Sequence, residues 1–177
     1  ETQPCNLAVG VSIEGEGVAN TIIKSTYVTP NYMDRTTGTL KLYSATAGTN
    51  GNQSISNIKL DGDNLQGSAG ILVKNRSNVK VHDVTIIDFF KNGIAFRGPS
   101  AYNTGNGPFV YDDGNELYDS VITNCGDIPG DGLNYTGGGL ILMTAQSNLL
   151  IHDNILTENS RAQGHNGNII NAGGRHF

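Results

Sequence analysis

The chain has 177 residues, 37% of them hydrophobic, no tryptophan, and 16 acidic against 11 basic side chains for a net charge of −5. That length fits one domain; the acidic balance, with no basic stripe interleaved with aromatics, argues against a nucleic-acid partner; and no apolar run reaches the length of a membrane span. With 24 glycines, five prolines and no heptad pattern, the composition turns away from helices and toward short strands joined by tight corners.

In chain order, residues 9–29 (VGVSIEGEGVANTIIKSTYVT) show two apolar alternations around a Gly-Glu-Gly corner and predict a first complete coil, with Val9, Val11 and Ile13 inward, then Ile22 or Ile23. Residues 30–39 are polar and read as a loop. Leu40, Leu42 and Tyr43 predict a short strand, and residues 45–53 (ATAGTNGNQ) a Gly/Asn/Thr turn without an apolar anchor. Ile55, Ile58 and Leu60 open the next coil, whose DGDN corner at 61–64 leads to Ile71 and Val73.

Residues 77–96 (SNVKVHDVTIIDFFKNGIAF) form a unit that recurs. Its first half returns at 115–125 (NELYDSVITNC) and 148–159 (NLLIHDNILTEN); its second half shares its alternation with GILV at 70–73, GLIL at 139–142 and GNII at 167–170. Aligned, Val81, Leu117 and Ile151 share an inward column, as do Val84, Ser120 and Asn154, and Ile86, Ile122 and Leu156. His82, Tyr118 and His152 share an outward column, followed at the bend by Asp83, Asp119 and Asp153. Gly70 and Gly93 lie 23 residues apart, Gly93 and Gly139 46, and Gly139 and Gly167 28, so the excess over one turn sits in loops. β-Branched strands, Gly or Asn corners and turns of roughly 20 to 30 residues describe a parallel β-helix of about six coils. A narrow solenoid core also explains the modest hydrophobic content.

Two long excursions interrupt the period, 98–114 and 126–138, and 160–166 occupies the corner equivalent to the second, which predicts that these last two loops lie side by side. They carry Asp127, Asp131 and Tyr135 in one, and Arg161 and His165 in the other, with Glu158 just before. Carboxylates there suit acid–base hydrolysis of a glycan, and Arg or His with a charge-neutralising cation suits β-elimination from a uronate. The His82, Tyr118 and His152 rings predict either a sugar-stacking or general-base surface, or a ladder that ties neighbouring coils together. Asp83, Asp119 and Asp153, about 4.8 Å apart, repel one another, and relief is expected from splaying into solvent, from a shared Ca²⁺, or from backbone N–H groups at the corner. The DDGNE stretch at 112–116 reads as a solvated acidic turn with Ca²⁺ as the alternative. Cys5 and Cys125 belong to distant coils, so a bridge between them requires the N-terminal segment to fold back along the outside. The sequons at Asn52, Asn75 and Asn134 number what this composition yields by chance.

VSIEGEGVANTIIK near the start, SNVKVHDVTIIDFFKNGIAFRG in the middle and SNLLIHDNILTENS near the end together resemble the right-handed parallel β-helix superfamily typified by pectate lyases, over residues 9–172. The resemblance implies an all-β fold, a single-stranded right-handed parallel β-helix, and polysaccharide as substrate or partner of a secreted or cell-surface protein. Family site motifs transfer only as an echo: Gly164-His165-Asn166-Gly167 matches a G-H-G motif in part, and Ile151-His152-Asp153 reverses the order of an I-D-H strand. The expectation is a polysaccharide lyase or glycoside hydrolase with Asp131 and His165 central to a groove between the 126–138 and 160–166 loops. The alternative is a non-catalytic module: with no amphipathic cap visible before Val9 or after Ala172, either the chain is part of a longer solenoid or its ends stack on neighbouring molecules.

Overall fold

The structure is a computed structural model that describes residues 4–28, 37–65, 69–98, 110–126, 141–159 and 169–171. Within these, all regular structure is strand. A first round of the chain gives β1 (Cys5–Asn6), β2 (Ile13–Glu14) and β3 (Ile22–Lys24); a second gives β4 (Gly38–Tyr43), β5 (Thr49–Ser56) and β6 (Lys59–Asp61). A third gives β7 (Ala69–Lys74), β8 (Arg76–His82) and β9 (Thr85–Ile87). The fourth comprises β10 (Asn92–Arg97), β11 (Asp112–Asp113), β12 (Glu116–Tyr118) and β13 (Val121–Thr123). The fifth comprises β14 (Ile141–Thr144), β15 (Gln146–Ser147), β16 (Leu150–His152) and β17 (Ile155–Thr157), before β18 (Ile169–Asn171).

Each round adds one strand to each of three sheets. The first runs β1-β4-β7-β10-β14-β18, the second β2-β5-β8-β12-β16 and the third β3-β6-β9-β13-β17, with β11 and β15 as a small extra pair. Every described pairing is parallel. This interleaved order is compatible with a parallel β-helix.

The strands are short because the chain turns after a few residues, and the turns follow from residue type. Asn57, Asp83, Asp119 and Asp153 hold φ between 48° and 57° at the corner between the second and third sheets, and Asp88, Asn124 and Glu158 hold 50° to 58° after the third. Asn and Asp tolerate this left-handed conformation better than other non-glycine residues. One such residue per corner redirects the strand.

Inward columns meet as aligned. Ile13, Ile55, Val81, Leu117 and Ile151 pair in succession across the second sheet, and Ile23, Leu60, Ile86, Ile122 and Leu156 across the third. With Leu40, Leu42, Ile71, Val73, Ile94 and Phe96 of the first sheet they form one core. A separate small cluster of Ala69, Leu72 and Ala95 is also buried.

Asparagines on the inside of the corners join one round to the next. Asn115 Nδ2 donates to the Arg76 carbonyl at 2.9 Å while its Oδ1 accepts from the Val79 N–H at 2.9 Å. Asn154 brackets Leu117 (2.9 Å) and Ser120 (3.1 Å) in the same way, and Asn159 brackets Ile122 and Cys125 (both 2.9 Å). Each bracketed segment contains the left-handed residue of the preceding round: Asn78, Asp119 or Asn124. The side-chain amide thereby satisfies backbone groups that a sharp corner takes out of the ladder.

Four local expectations are corrected. Val9 and Val11 are 51% and 46% exposed rather than inward, because Val11 N–H closes a turn onto the Ala8 carbonyl at 3.2 Å and Gly10 sits at φ 80°. Residues 49–53 belong to β5 rather than to a turn; a register shift between Asn50 and Gln53 accommodates Asn52 in the left-handed region. Ile94 pairs with Ile141, one residue later than matching Gly93 to Gly139 predicts; the match of 139 with 167 holds, since Ile141 pairs with Ile169. Asp112 and Asp113 lie on β11 rather than in a turn, with Asp112 buried and Asp113 exposed.

Candidate functional site

The outer face of the second sheet carries the ring column. The register puts His82 opposite Tyr118 and Tyr118 opposite His152. His82 and Tyr118 stack with centroids 4.8 Å apart and planes 7° apart; Tyr118 and His152 stack at 5.2 Å and 2°. Tyr118 therefore has a ring on each face. Tyr118 thus offers a ligand its ring edge rather than a face.

At the next position the aspartates meet their own histidines. His82 Nδ1 lies 2.8 Å from Asp83 Oδ2, and His152 Nδ1 lies 2.8 Å from Asp153 Oδ2. A carboxylate accepts only, so Nδ1 carries the proton and Nε2 of the neutral ring is left as an acceptor. Each of these two carboxylates thus has a hydrogen-bond donor beside it, which relieves part of the expected repulsion along the column. Asp119 is exposed at the intervening corner. Among the described residues no three His, Cys, Asp or Glu side chains gather as a metal site. Two positions earlier on the same face, Lys80 Nζ pairs with Glu116 at 3.2 Å across β8 and β12.

The other sequence-predicted residues divide into two groups. Glu158 occupies the left-handed corner that follows β17. Asp127, Asp131, Tyr135, Arg161 and His165 lie outside the described residues, as do 127–138 and 160–166, the two sides of the expected groove.

Sequence reasoning missed a buried polar cluster at the corner between the first and second sheets. Arg76 is 2% exposed, and its guanidinium donates to Ser44 Oγ (2.9 Å), Gln53 Oε1 (2.6 Å), the Tyr43 carbonyl (2.7 Å) and the Ala8 carbonyl (3.4 Å). Burial holds its pKa below the ordinary value. In the next round, Asp112 is fully buried; its Oδ1 accepts from the Gly48 N–H at 2.9 Å, and Gln146 Nε2 lies 3.5 Å from its Oδ2. Burial pushes the Asp112 carboxyl up to about 6, against the opposing effect of these donors. Gln146 Oε1 in turn accepts from Asn115 Nδ2 at 2.8 Å. The only signal in the sequence was the recurrence of polar residues at this corner. Cys5 and Cys125 are both free, and burial pushes the Cys125 thiol up to about 12, so it is an inert core group.

No helix among the described residues is long and apolar enough to cross a membrane. Comparison of the chain with protein-family models, curated proteins and solved structures returns no match.

Proposed function

We propose that the chain is a right-handed parallel β-helix of about six coils and an extracellular carbohydrate-active protein of the polysaccharide lyase or glycoside hydrolase class. The observation that carries this reading is the ring column. Neither His82 Nε2, Tyr118 Oη nor His152 Nε2 has a hydrogen-bond partner among the described residues, and the three recur at the rung spacing of a parallel sheet. Such a row suits an extended polymer with repeating hydroxyl groups, which can lie along the axis and meet one group per rung.

In this reading the ring column holds the glycan and the 126–138 and 160–166 loops supply the chemistry, with Asp127, Asp131, Glu158, Arg161 and His165 as acid, base or charge-stabilising groups, and Tyr135 as a further sugar contact. Incubation with a panel of polysaccharides, read out as new reducing ends and as unsaturated uronates, distinguishes hydrolysis from elimination. Asp131→Asn is expected to abolish turnover while leaving the unfolding midpoint in place. Unchanged turnover removes Asp131 from the site.

One observation favours a second, non-catalytic reading. Ile22 and Ile155 are 55% and 62% exposed and occupy the same outward column on the outermost strands of the third sheet. Copies stacked end to end would bring Ile155 of one against Ile22 of the next and continue all three sheets. Electron microscopy of the purified chain at several concentrations tests this: filaments with a repeat of one domain length support it, and dispersed particles overturn it.

A further inference from the structure

The charge around the ring column narrows the class of glycan. Asp83, Asp119 and Asp153 are all exposed at the corner immediately beside the rings. Glu14 stands in the ring column itself, two rungs before His82, since Glu14 pairs with Ser56 and Ser56 with His82. The one cation in the adjoining outward column, Lys80, is already paired with Glu116. Lys59, in the outward column just past the corner, is likewise paired, with Asp61 at 3.8 Å, so a ligand on this face meets carboxylates while both neighbouring lysines are engaged elsewhere.

The hydrogen-bonding character of the row points the same way. With Nδ1–H of each histidine turned to its aspartate, both Nε2 atoms accept in the neutral rings, and the Tyr118 hydroxyl between them both donates and accepts. The partner for an acceptor is a hydroxyl, not a carboxylate or a sulfate, which can only accept. Stacking of a sugar on the Tyr118 ring is ruled out by the two imidazoles on its faces.

We propose that His82 Nε2, Tyr118 Oη and His152 Nε2 form a binding row for the hydroxyl groups of a neutral glycan strand lying across β8, β12 and β16, and that the aspartates beside it exclude polyanionic glycans. The proposal rests on the carbohydrate-binding reading above and selects its hydrolase form, because β-elimination requires a uronate and the aspartates turn uronates away. The phenol is the discriminating group, because it can be deleted while the ring ladder stays intact.

Titration calorimetry of the full chain with neutral oligosaccharides (gluco-, manno-, xylo- and galacto-oligomers) and acidic ones (oligouronates and sulfated oligomers) tests it. Neutral oligomers of one series are expected to bind, and Tyr118→Phe to weaken that binding by about fivefold, the loss of one net hydrogen bond. Asp119→Asn, which keeps a residue that tolerates the left-handed corner, is expected to raise the ratio of acidic to neutral affinity by about threefold at low salt and by less at high salt. Imidazole ¹⁵N shifts of His82 and His152 are expected to report Nδ1–H, and to move at Nε2 when the glycan is added. Acidic oligomers binding more tightly than neutral ones, or neutral binding untouched by Tyr118→Phe, overturns the proposal and leaves the carbohydrate reading standing. If no glycan of either charge binds, the carbohydrate reading itself falls.

Discussion

At the scale of single residues, the most consequential feature is a buried carboxyl where the sequence predicts a solvated acidic turn. Asp112 is fully buried, and its carboxyl is raised to about 6 from an ordinary value of 3.8. The folded state therefore holds this proton more tightly than the unfolded chain. Between pH 3.8 and about 6 the native protein binds the extra proton, so the Asp112 contribution to stability declines as pH rises through that window. Above it the buried charge carries its full cost. Asp112→Asn is expected to stabilise the fold by about 2 kcal/mol at pH 7.5, with the gain shrinking toward zero at pH 4, measured by urea unfolding at both values. Arg76 runs the other way, since its buried guanidinium satisfies Ser44, Gln53 and the Tyr43 carbonyl at once. Arg76→Ala strands those groups and opens a cavity, and a loss of about 3 kcal/mol or more is expected in the same measurement.

At the scale of the element, the corner governs the structure. A short β-strand stops where one residue adopts left-handed φ, and the next round's asparagine then closes the exposed backbone groups. Asn154→Ala leaves the Ser120 N–H and the Leu117 carbonyl without their partner, and a cost of about 2 kcal/mol is expected in thermal unfolding. Asp119→Val tests the other half of the corner: a β-branched side chain at φ 48° is strained by about 1–2 kcal/mol, whereas Asp119→Asn is close to neutral. Close packing adds a third constraint at Gly62, where a Cβ would collide with the carbonyl of Asp88 in the next round. The columns of Val81, Leu117 and Ile151 and of Ile86, Ile122 and Leu156 were legible because a period of two, repeated at similar spacing, leaves few registers. The corner asparagines were only half legible, since an Asn that caps the neighbouring round and an Asn that merely turns the chain look alike in one dimension.

At the scale of the whole molecule, each round contacts chiefly its neighbours, so stability is expected to spread from the middle. The central rounds hold the fully buried Val81, Ile86, Ile94, Phe96, Leu117 and Ile122. In contrast, Ile13, Ile23, Ile151 and Leu156 of the outer rounds are only partly buried. Native-state hydrogen exchange is expected to show the slowest amides in β7 to β10, with faster exchange in β2, β3, β16 and β17. Uniform protection across all rounds would contradict that gradient.

Taken alone, the sequence determined the all-strand character, the parallel order of its repeating segments and the composition of the ring column, because a two-residue side-chain period and its recurrence are properties of the chain itself. It also placed Asp83, Asp119 and Asp153 together, though not the partners of Asp83 and Asp153, since a hydrogen bond between adjacent residues depends on ring rotation. Tertiary structure alone decided three matters. Val9 and Val11 face out because of a local turn, β14 enters one residue later than its glycine suggests, and Asp112 of the DDGNE stretch is drawn inward to meet Gly48 from two rounds earlier while Asp113 stays exposed. The last two depend on where a loop returns the chain to its stack, and loop length and composition leave that return point free over the one residue that exchanges inside for outside.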